Sequence, residues 1–474
     1  MAVSDATHPA DPALTAAVAR WLPQQRWYAG KGRSAHVTLD RLATLASAPI
    51  EVAVYTATAN YTATADELPR GPARSEIFQV PLVFYPDPAP HLEPALVGVI
   101  ERDGHPVWVY DALQDKDVTG LWLAGIEYEQ RIGPLIFERF TADELPLQRA
   151  SLALSAEQSN TSLVFGDSAI LKVFRRLEPG INPDIEVHRA LTALGARHVA
   201  PLFGSLTAEL DGTPTSLAML QSFMRTASDG WDLAKISVRD LMAEGDLHAA
   251  EAGGDFAGEA ERLGAAVASI HVDLAAAFGT DSISGDAIRQ LAQAMHARLD
   301  AALAVVPQLA EVADGLRATF DAFAAVADDG TSLPTQRIHA DLHLGQALRT
   351  SSRWIILDFE GEPAATLAQR RAFDSPLRDL AGMLRSFDYA ARYQLVDALQ
   401  LAQLEYRAVE WAERNRSAFC DGYADAFGHD PREQEVLLRG YEADKAVYEA
   451  VYEARNRPSW LAVPLSSLAR LIAA

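Results

Sequence analysis

At 474 residues the chain exceeds what one hydrophobic core usually covers, so two or three packed units are expected. Hydrophobic residues at 49% and charged residues at 22% are ordinary globular values and exclude wholesale disorder. Forty-one Lys and Arg against 64 Asp and Glu leave a net charge of -23, which repels polyanions and argues against nucleic acid or an anionic membrane as partner.

The amino terminus, Met1 to Trp21, lacks the basic start and apolar run of a signal peptide, and no stretch reaches the ~18 apolar residues that span a bilayer. A single cysteine, Cys420, rules out an intramolecular disulfide and a zinc ribbon. A cytoplasmic protein is expected. From Val37 to Glu76 alternation and β-branched residues predict strands, and the pattern continues to Tyr110, with Pro81, Pro86, Pro88 and Pro90 read as breaks. The β region is expected to run to about Phe165. Within Ser162 to Phe174, two apolar runs around Gly166-Asp167 predict a hairpin with Lys172 in its second strand. Asn182-Pro183 then signals a helix start, which puts Glu186 in the first turns. From Val238 onward the chain reads as helical and alanine-rich to Ala474, with one β interruption between Gln336 and Glu362.

Phosphoryl transfer needs a group that orients the attacking hydroxyl, oxygen ligands for magnesium, and a cation on the α- and β-phosphates. Here Lys172 sits on a strand, Glu186 on the next helix, Asp341 in a loop after His339, Gln346 five residues on, and Asp358 at the end of an apolar strand. That order resembles the protein-kinase-like fold, in the branch that contains aminoglycoside and choline kinases. There is no GxGxxG before Lys172, and Gln346 stands where asparagine is usual. A metal-dependent phosphohydrolase on His339, Asp341 and His343 is one alternative, although it leaves Lys172 unexplained. A non-catalytic pseudokinase is another, against which stands the presence of Asp341, Gln346 and Asp358.

Longer motifs narrow the resemblance: WLPQQRWYAGKGR (Trp21 to Arg33), EQSNTSLVFGDSAILKVFRR (Glu157 to Arg176), HADLHLGQ (His339 to Gln346), DFEGEP (Asp358 to Pro363) and DKAVYEAVYEARNRPSWL (Asp444 to Leu461). The chain is similar along nearly its whole length to the bacterial maltokinase family, with Ala340 where glycine is common. The resemblance implies an α+β, bilobal protein-kinase-like fold with a β-rich N-terminal cap and N-lobe and a mainly helical C-lobe. The expected boundaries are a cap over 1–100, an intermediate β region and N-lobe over 101–223, and the C-lobe over 224–474.

The resemblance also implies ATP and Mg2+ as cofactors and maltose as the substrate phosphorylated to maltose 1-phosphate, for α-glucan synthesis. Glucosamine or another small sugar is the alternative, and a functional association with a trehalose-converting enzyme is the partner it suggests. Asp341 is the expected catalytic base, and Gln346 and Asp358 the magnesium ligands. The turn Glu157-Gln158-Ser159-Asn160-Thr161-Ser162 replaces the glycine-rich loop, Lys172 and Glu186 position the nucleotide, and Met219, Gln221 and Phe223 lie in the adenine-binding hinge. For the sugar, His343, Glu360, Lys445, Tyr448, Glu449, Tyr452 and Arg455 are expected, the tail residues forming one helical stripe with Tyr441. Asp379 and Arg378 are expected to brace the catalytic loop, and Trp27 and Tyr28 to lie in the cap core.

Overall fold

A computed structural model of the chain describes residues 8–62, 75–154, 159–243, 248–251, 254–362, 365–393, 395 and 401–473. Glu157, Gln158 and Pro363 of the quoted motifs lie outside the described residues. The chain divides into two compact units, Met1–Arg189 with Ala200–Arg225, and Ala190–Val199 with Thr226–Ala474.

In the first unit, the described residues form β1 (His8–Pro9), α1 (Pro12–Trp21), β2 (Ala35–Ala46), β3 (Glu51–Tyr61), β4 (Ser75–Tyr85), β5 (Leu96–Arg102) and β6 (His105–Asp111). Then come α2 (Gly120–Glu127), β7 (Arg131–Ile132), β8 (Leu135–Arg139), β9 (Ser151–Ala153), β10 (Asn160–Phe165), β11 (Ala169–Phe174), β12 (Arg176–Leu177), α3 (Pro183–Ala193), β13 (Leu202–Leu210) and β14 (Thr213–Ser222). Two sheets result. The first runs β1-β2-β3-β4-β6-β5 with β12 also on β4, and the second runs β7-β8-β13-β14-β11-β10-β9.

The first sheet is buried on both faces. Ala53 and Tyr55 of β3 enter one core with Leu14 and Val18 of α1, while Val52 and Val54 enter another with Leu163, Leu171 and Leu217 of the second sheet. A strand covered on both faces reads as a continuous apolar run, as β3 and β4 do. Pro81 was expected to break the chain, yet it lies inside β4. Gln79 N–H, two residues before it, reaches Arg175 O, and Val83, two residues after, pairs with Tyr110 of β6, so Pro81 occupies the gap between two partner strands where no donor is needed. The β region expected to run to about Phe165 is interrupted by α2, whose GLWLAGIE is almost wholly apolar and so carries no helical stripe to read.

The second unit holds β15 (Ser228–Asp229), α4 (Gly230–Ala243), α5 (Ala257–Phe278), β16 (Thr280–Ser284), α6 (Asp286–Leu303), α7 (Ala313–Ala325), β17 (Ser332–Gln336), β18 (Ala347–Arg349) and β19 (Trp354–Ile356). It closes with α8 (Leu367–Arg370), α9 (Pro376–Arg392), α10 (Leu401–Phe427), α11 (Glu435–Asn456) and α12 (Ala462–Ala473). β16 pairs with β17, a second β element where only one interruption was expected. Helices α5 and α10 pack backbone to backbone: a Cβ on Gly264 would lie 2.0 Å from Phe419 O, and one on Gly422 1.9 Å from Glu261 O. Helix α9 starts on Ser375, whose Oγ caps Leu377 N–H, with Pro376 at the first helical position.

Candidate active site

The hairpin around Gly166 forms as expected, with Ser162 opposite Lys172 and Lys172 in turn opposite Met219. Ser159, Asn160 and Thr161 lead into β10, Gln221 lies near the end of β14, and Phe223 N–H closes onto Ser168 O just beyond it. Asn182 Oδ1 accepts from Asp184 N–H at 2.8 Å and so begins α3, the turn that also carries Glu186. Lys172 Nζ lies 3.3 Å from Asp184 Oδ2, a partner that sequence reasoning did not name. Trp27 packs on Phe78 and under Arg175, and Tyr28 is buried, so both belong to the cap core.

In the second unit the catalytic-loop candidates are held by α9. Asp379 accepts His339 N–H at 2.7 Å and Ala340 N–H at 2.8 Å, and His271 Nε2 lies 3.1 Å from it, with Tyr423 OH 3.0 Å from the other ring nitrogen. Burial opposes the charge on Asp379, but His271 and these donors hold its carboxyl below the usual range. Asp379 therefore braces the loop. Arg378 does not reach that loop and instead pairs with Asp374 at 3.0 Å and Glu362 at 3.7 Å. Gly382 allows the close approach of α9, since a Cβ there would come within 2.6 Å of Leu342 O.

His339 uses both ring nitrogens on the backbone, on Leu357 O at 2.8 Å and Asp341 N–H at 3.3 Å. Neither is left for a metal ion, which removes the metallohydrolase alternative. Burial keeps the His343 ring below the usual imidazole pKa, hence neutral, and its Nδ1 accepts Gly345 N–H at 3.1 Å. Gln346 Nε2 donates to Asp358 Oδ2 at 3.3 Å, which makes the two side chains neighbours through the amide nitrogen. The Gln346 amide oxygen and the Asp358 carboxylate are hard oxygen donors of the kind Mg2+ takes alongside phosphate and water. The residues present fit that ion.

Two cavities open beside Asp341. One, of about 520 Å3, is lined by Asp341, His343, Lys445, Tyr448, Glu449 and Tyr452 among others, and its aromatic wall is completed by Trp231, Tyr389 and Trp460. The other, of about 470 Å3, is polar, lined by Arg298, Glu362, Arg378 and Asp444, and shares Asp341, Lys445 and Tyr448 with the first. Five of the seven expected sugar residues thus come together. Arg455 is exposed and Arg457 lines the aromatic cavity in its stead, while Glu360 lies in the loop after Asp358, its carbonyl oxygen 3.3 Å from Arg370 Nη1. Tyr441 is core, edge-on to Phe323, although it also borders the polar cavity.

Asp229, Trp231 and Tyr389 were missed because they come from β15, α4 and α9, far from the tail motif in sequence. Trp460 was inside a quoted motif and carried no assigned role. Burial raises the Asp229 carboxyl.

Residues 21–115 match the model of the maltokinase N-terminal cap domain. The glucosamine kinase of Streptacidiphilus jiangxiensis is 30% identical over 326 residues, 67% of this chain and 72% of that protein. That of Mycolicibacterium smegmatis is 27% identical over 351 residues, 68% of this chain and 80% of that protein. This chain belongs to the glucosamine kinase family and carries a maltokinase-type N-terminal cap. A solved glucosamine kinase in complex with glucosamine, ADP and inorganic phosphate superposes with a TM-score of 0.67 at 24% identity, covering 96% of this chain and 98% of that one. Another crystal form gives 0.69 at 23% identity, covering 97% and 99%. The fold is that of these kinases, α and β mixed with a β-rich N-terminal region. Membership makes the chain a phosphotransferase of the sugar-kinase type, and no helix among the described residues is long and apolar enough to cross a membrane.

Proposed function

We propose that the chain phosphorylates maltose to maltose 1-phosphate with Mg-ATP. The observation that carries this is the pair of cavities sharing Asp341, Lys445 and Tyr448, because a disaccharide has two rings to place and a single amino sugar has one. The aromatic wall suits the apolar faces of a sugar ring. Its two glutamates are each engaged by an arginine, Glu449 by Arg385 at 2.7 Å and Glu453 by Arg457 at 2.6 Å, so neither needs an amino sugar as its counter-ion.

In this reading Asp341 accepts the proton of the attacking hydroxyl, whose oxygen bonds to the γ-phosphorus as the bond to the β–γ bridging oxygen breaks. Gln346 and Asp358 would hold Mg2+, which when bound neutralises phosphate charge. Lys172, kept in place by Asp184, would meet the α- and β-phosphates, with Glu186 beside it. Ser159 to Ser162 would approach the phosphates, and Met219, Gln221 and Phe223 the adenine. Glucosamine is the second reading, favoured by the two curated relatives and by Asp229, a carboxyl in the aromatic cavity to which, among the described residues, no arginine or lysine is bonded. Release of ADP from Mg-ATP, measured with maltose, glucose and glucosamine in parallel, separates the readings. Maltose should give the highest kcat/KM; turnover of glucosamine with maltose inert would sink the maltose reading.

A further inference from the structure

Lys445 Nζ lies 3.2 Å from Asp341 Oδ1 and 3.9 Å from Glu362 Oε1. An ammonium only donates hydrogen bonds, so the oxygen it holds is one lone pair poorer as a proton acceptor. A lysine side chain gives up much rotamer freedom when fixed, so a defined position implies a tether. Glu449 stands four residues on along α11, on the same helical face. Burial would lower the Lys445 pKa, but Asp341, Glu362 and Glu449 outweigh it and keep the group charged.

Glu449 is itself fixed from behind. Its Oε2 accepts from Arg385 Nη2 at 2.7 Å and Nε at 3.0 Å, and Arg385, 1% exposed, donates through Nη1 to Asp388 Oδ2 at 3.0 Å. Asp388 Oδ1 takes Arg392 and Arg470, each at 3.0 Å. Opposite charges therefore alternate from α12 through α9 and α11 to the catalytic loop: Arg470, Asp388, Arg385, Glu449, Lys445, Asp341. Exposed ion pairs contribute little, but a bidentate guanidinium shut away from water fixes its partner's geometry.

We infer that Lys445 makes this enzyme discriminate a sugar hydroxyl from water as phosphoryl acceptor, and that Arg385 is a positioning residue acting on it through Glu449. The inference rests on Asp341 being the base. Without sugar the ammonium covers Oδ1 and hydrolysis is suppressed. In that side reaction a water oxygen bonds to the γ-phosphorus, the bond to the β–γ bridging oxygen breaks with its electron pair leaving on ADP, and the water proton passes to Asp341. Lys445 borders both cavities, so hydroxyls of a bound sugar accept from its ammonium, draw it off Oδ1 and leave that oxygen for the acceptor hydroxyl.

The test is ADP release from Mg-ATP in the absence of sugar, on full-length protein whose folding is checked by thermal unfolding. Lys445→Met should raise this rate by about fivefold or more, a small part of what a freed general base contributes. Glu449→Gln keeps the shape of the wall, removes the tethering charge and should give a smaller rise, as should Arg385→Gln; should the latter not fold, Glu449→Gln tests the same link. A gain of hydrolysis cannot arise from loss of structure. Rates at or below wild type in Lys445→Met overturn the inference, and a rise there with none in Glu449→Gln overturns the part assigned to Arg385. Asp341→Asn separates this from the functional reading: full sugar phosphorylation in that variant would defeat Asp341 as base, whatever the lysine variant does.

Discussion

Among the described residues five non-glycines have positive φ, and two of them, Ala340 at 68° and Asp358 at 63°, lie in the candidate site. A side chain in this region costs about 1–3 kcal/mol and persists only where the surroundings hold it. For Ala340 the holder is Asp379, which bonds both its N–H and that of His339. The family resemblance makes glycine the common residue at this position, and the backbone angle supplies the reason. Asp379→Asn keeps the size of the side chain but turns one face of it into a donor toward N–H groups. It should lower stability by about 2–4 kcal/mol and lower kcat more than either KM. Because the folded pKa of Asp379 is depressed, its contribution is fully present above the ordinary carboxylate pKa and is lost as pH falls through the lower folded value. The stability gap between wild type and Asp379→Asn should therefore be constant from about pH 5 to 8 and shrink only below about pH 4. Urea unfolding across that range checks it; a gap that closes near neutrality would contradict the assignment.

At the scale of elements, the helix-to-helix approach of α5 and α10 rests on two glycines that sequence alone could not interpret. A glycine inside a helix normally weakens it by about 1 kcal/mol relative to alanine. Here Gly264→Ala should do the opposite of the propensity rule, because its Cβ would sit 2.0 Å from a backbone oxygen that cannot move without shifting α10. A loss of about 3 kcal/mol or more is expected, read as a lower urea midpoint with unchanged slope; a stabilised protein would mean the helices can separate freely. The same limit governs what was legible of the site. Asp341, Gln346 and Asp358 fall within one short stretch of loop and strand, so their spacing carried the reading. The stripe of Lys445, Tyr448, Glu449 and Tyr452 was equally legible, being one helix face. The stripe does not extend to Arg455, which is still helical but exposed, whereas Arg457, at φ -144° just past the end of α11, leaves the helical phase and lines the cavity. Asp229, Trp231 and Tyr389 had no signal of this kind, since only tertiary packing brings β15, α4 and α9 to the tail.

On the whole-molecule scale, a net charge of -23 means that an anionic nucleotide is attracted only by locally placed cations, and the pairing of Lys172 with Asp184 fixes one of them. The sheet carrying Lys172 is joined to the cap sheet inside the first unit by a shared apolar core and by buried polar contacts that cross it. Gln79 of the cap strand β4 donates its amide to Phe174 O at 3.0 Å and Leu217 O at 2.9 Å. Arg175, fully buried, reaches Thr161 Oγ1 at 2.8 Å and Asp111 Oδ2 at 2.5 Å while lying 4.8 Å from the centre of the Trp27 ring. One guanidinium thus touches β10 of one sheet, β6 of the other and the cap core. The cap should then unfold together with the nucleotide-side sheet in one transition. Arg175→Met preserves volume but leaves Asp111 charged, buried and without its cation, only the Leu113 N–H at 3.2 Å remaining, which costs about 3–5 kcal/mol. For a unit of this size that is a drop in Tm of about 10 °C. Removing both charges with Arg175→Met and Asp111→Asn should recover at least half of the loss, since the penalty lies mainly in the orphaned carboxylate. Scanning calorimetry decides it: if the single variant melts like wild type, or the double variant melts no higher than the single, the two sheets are joined by their shared apolar core alone.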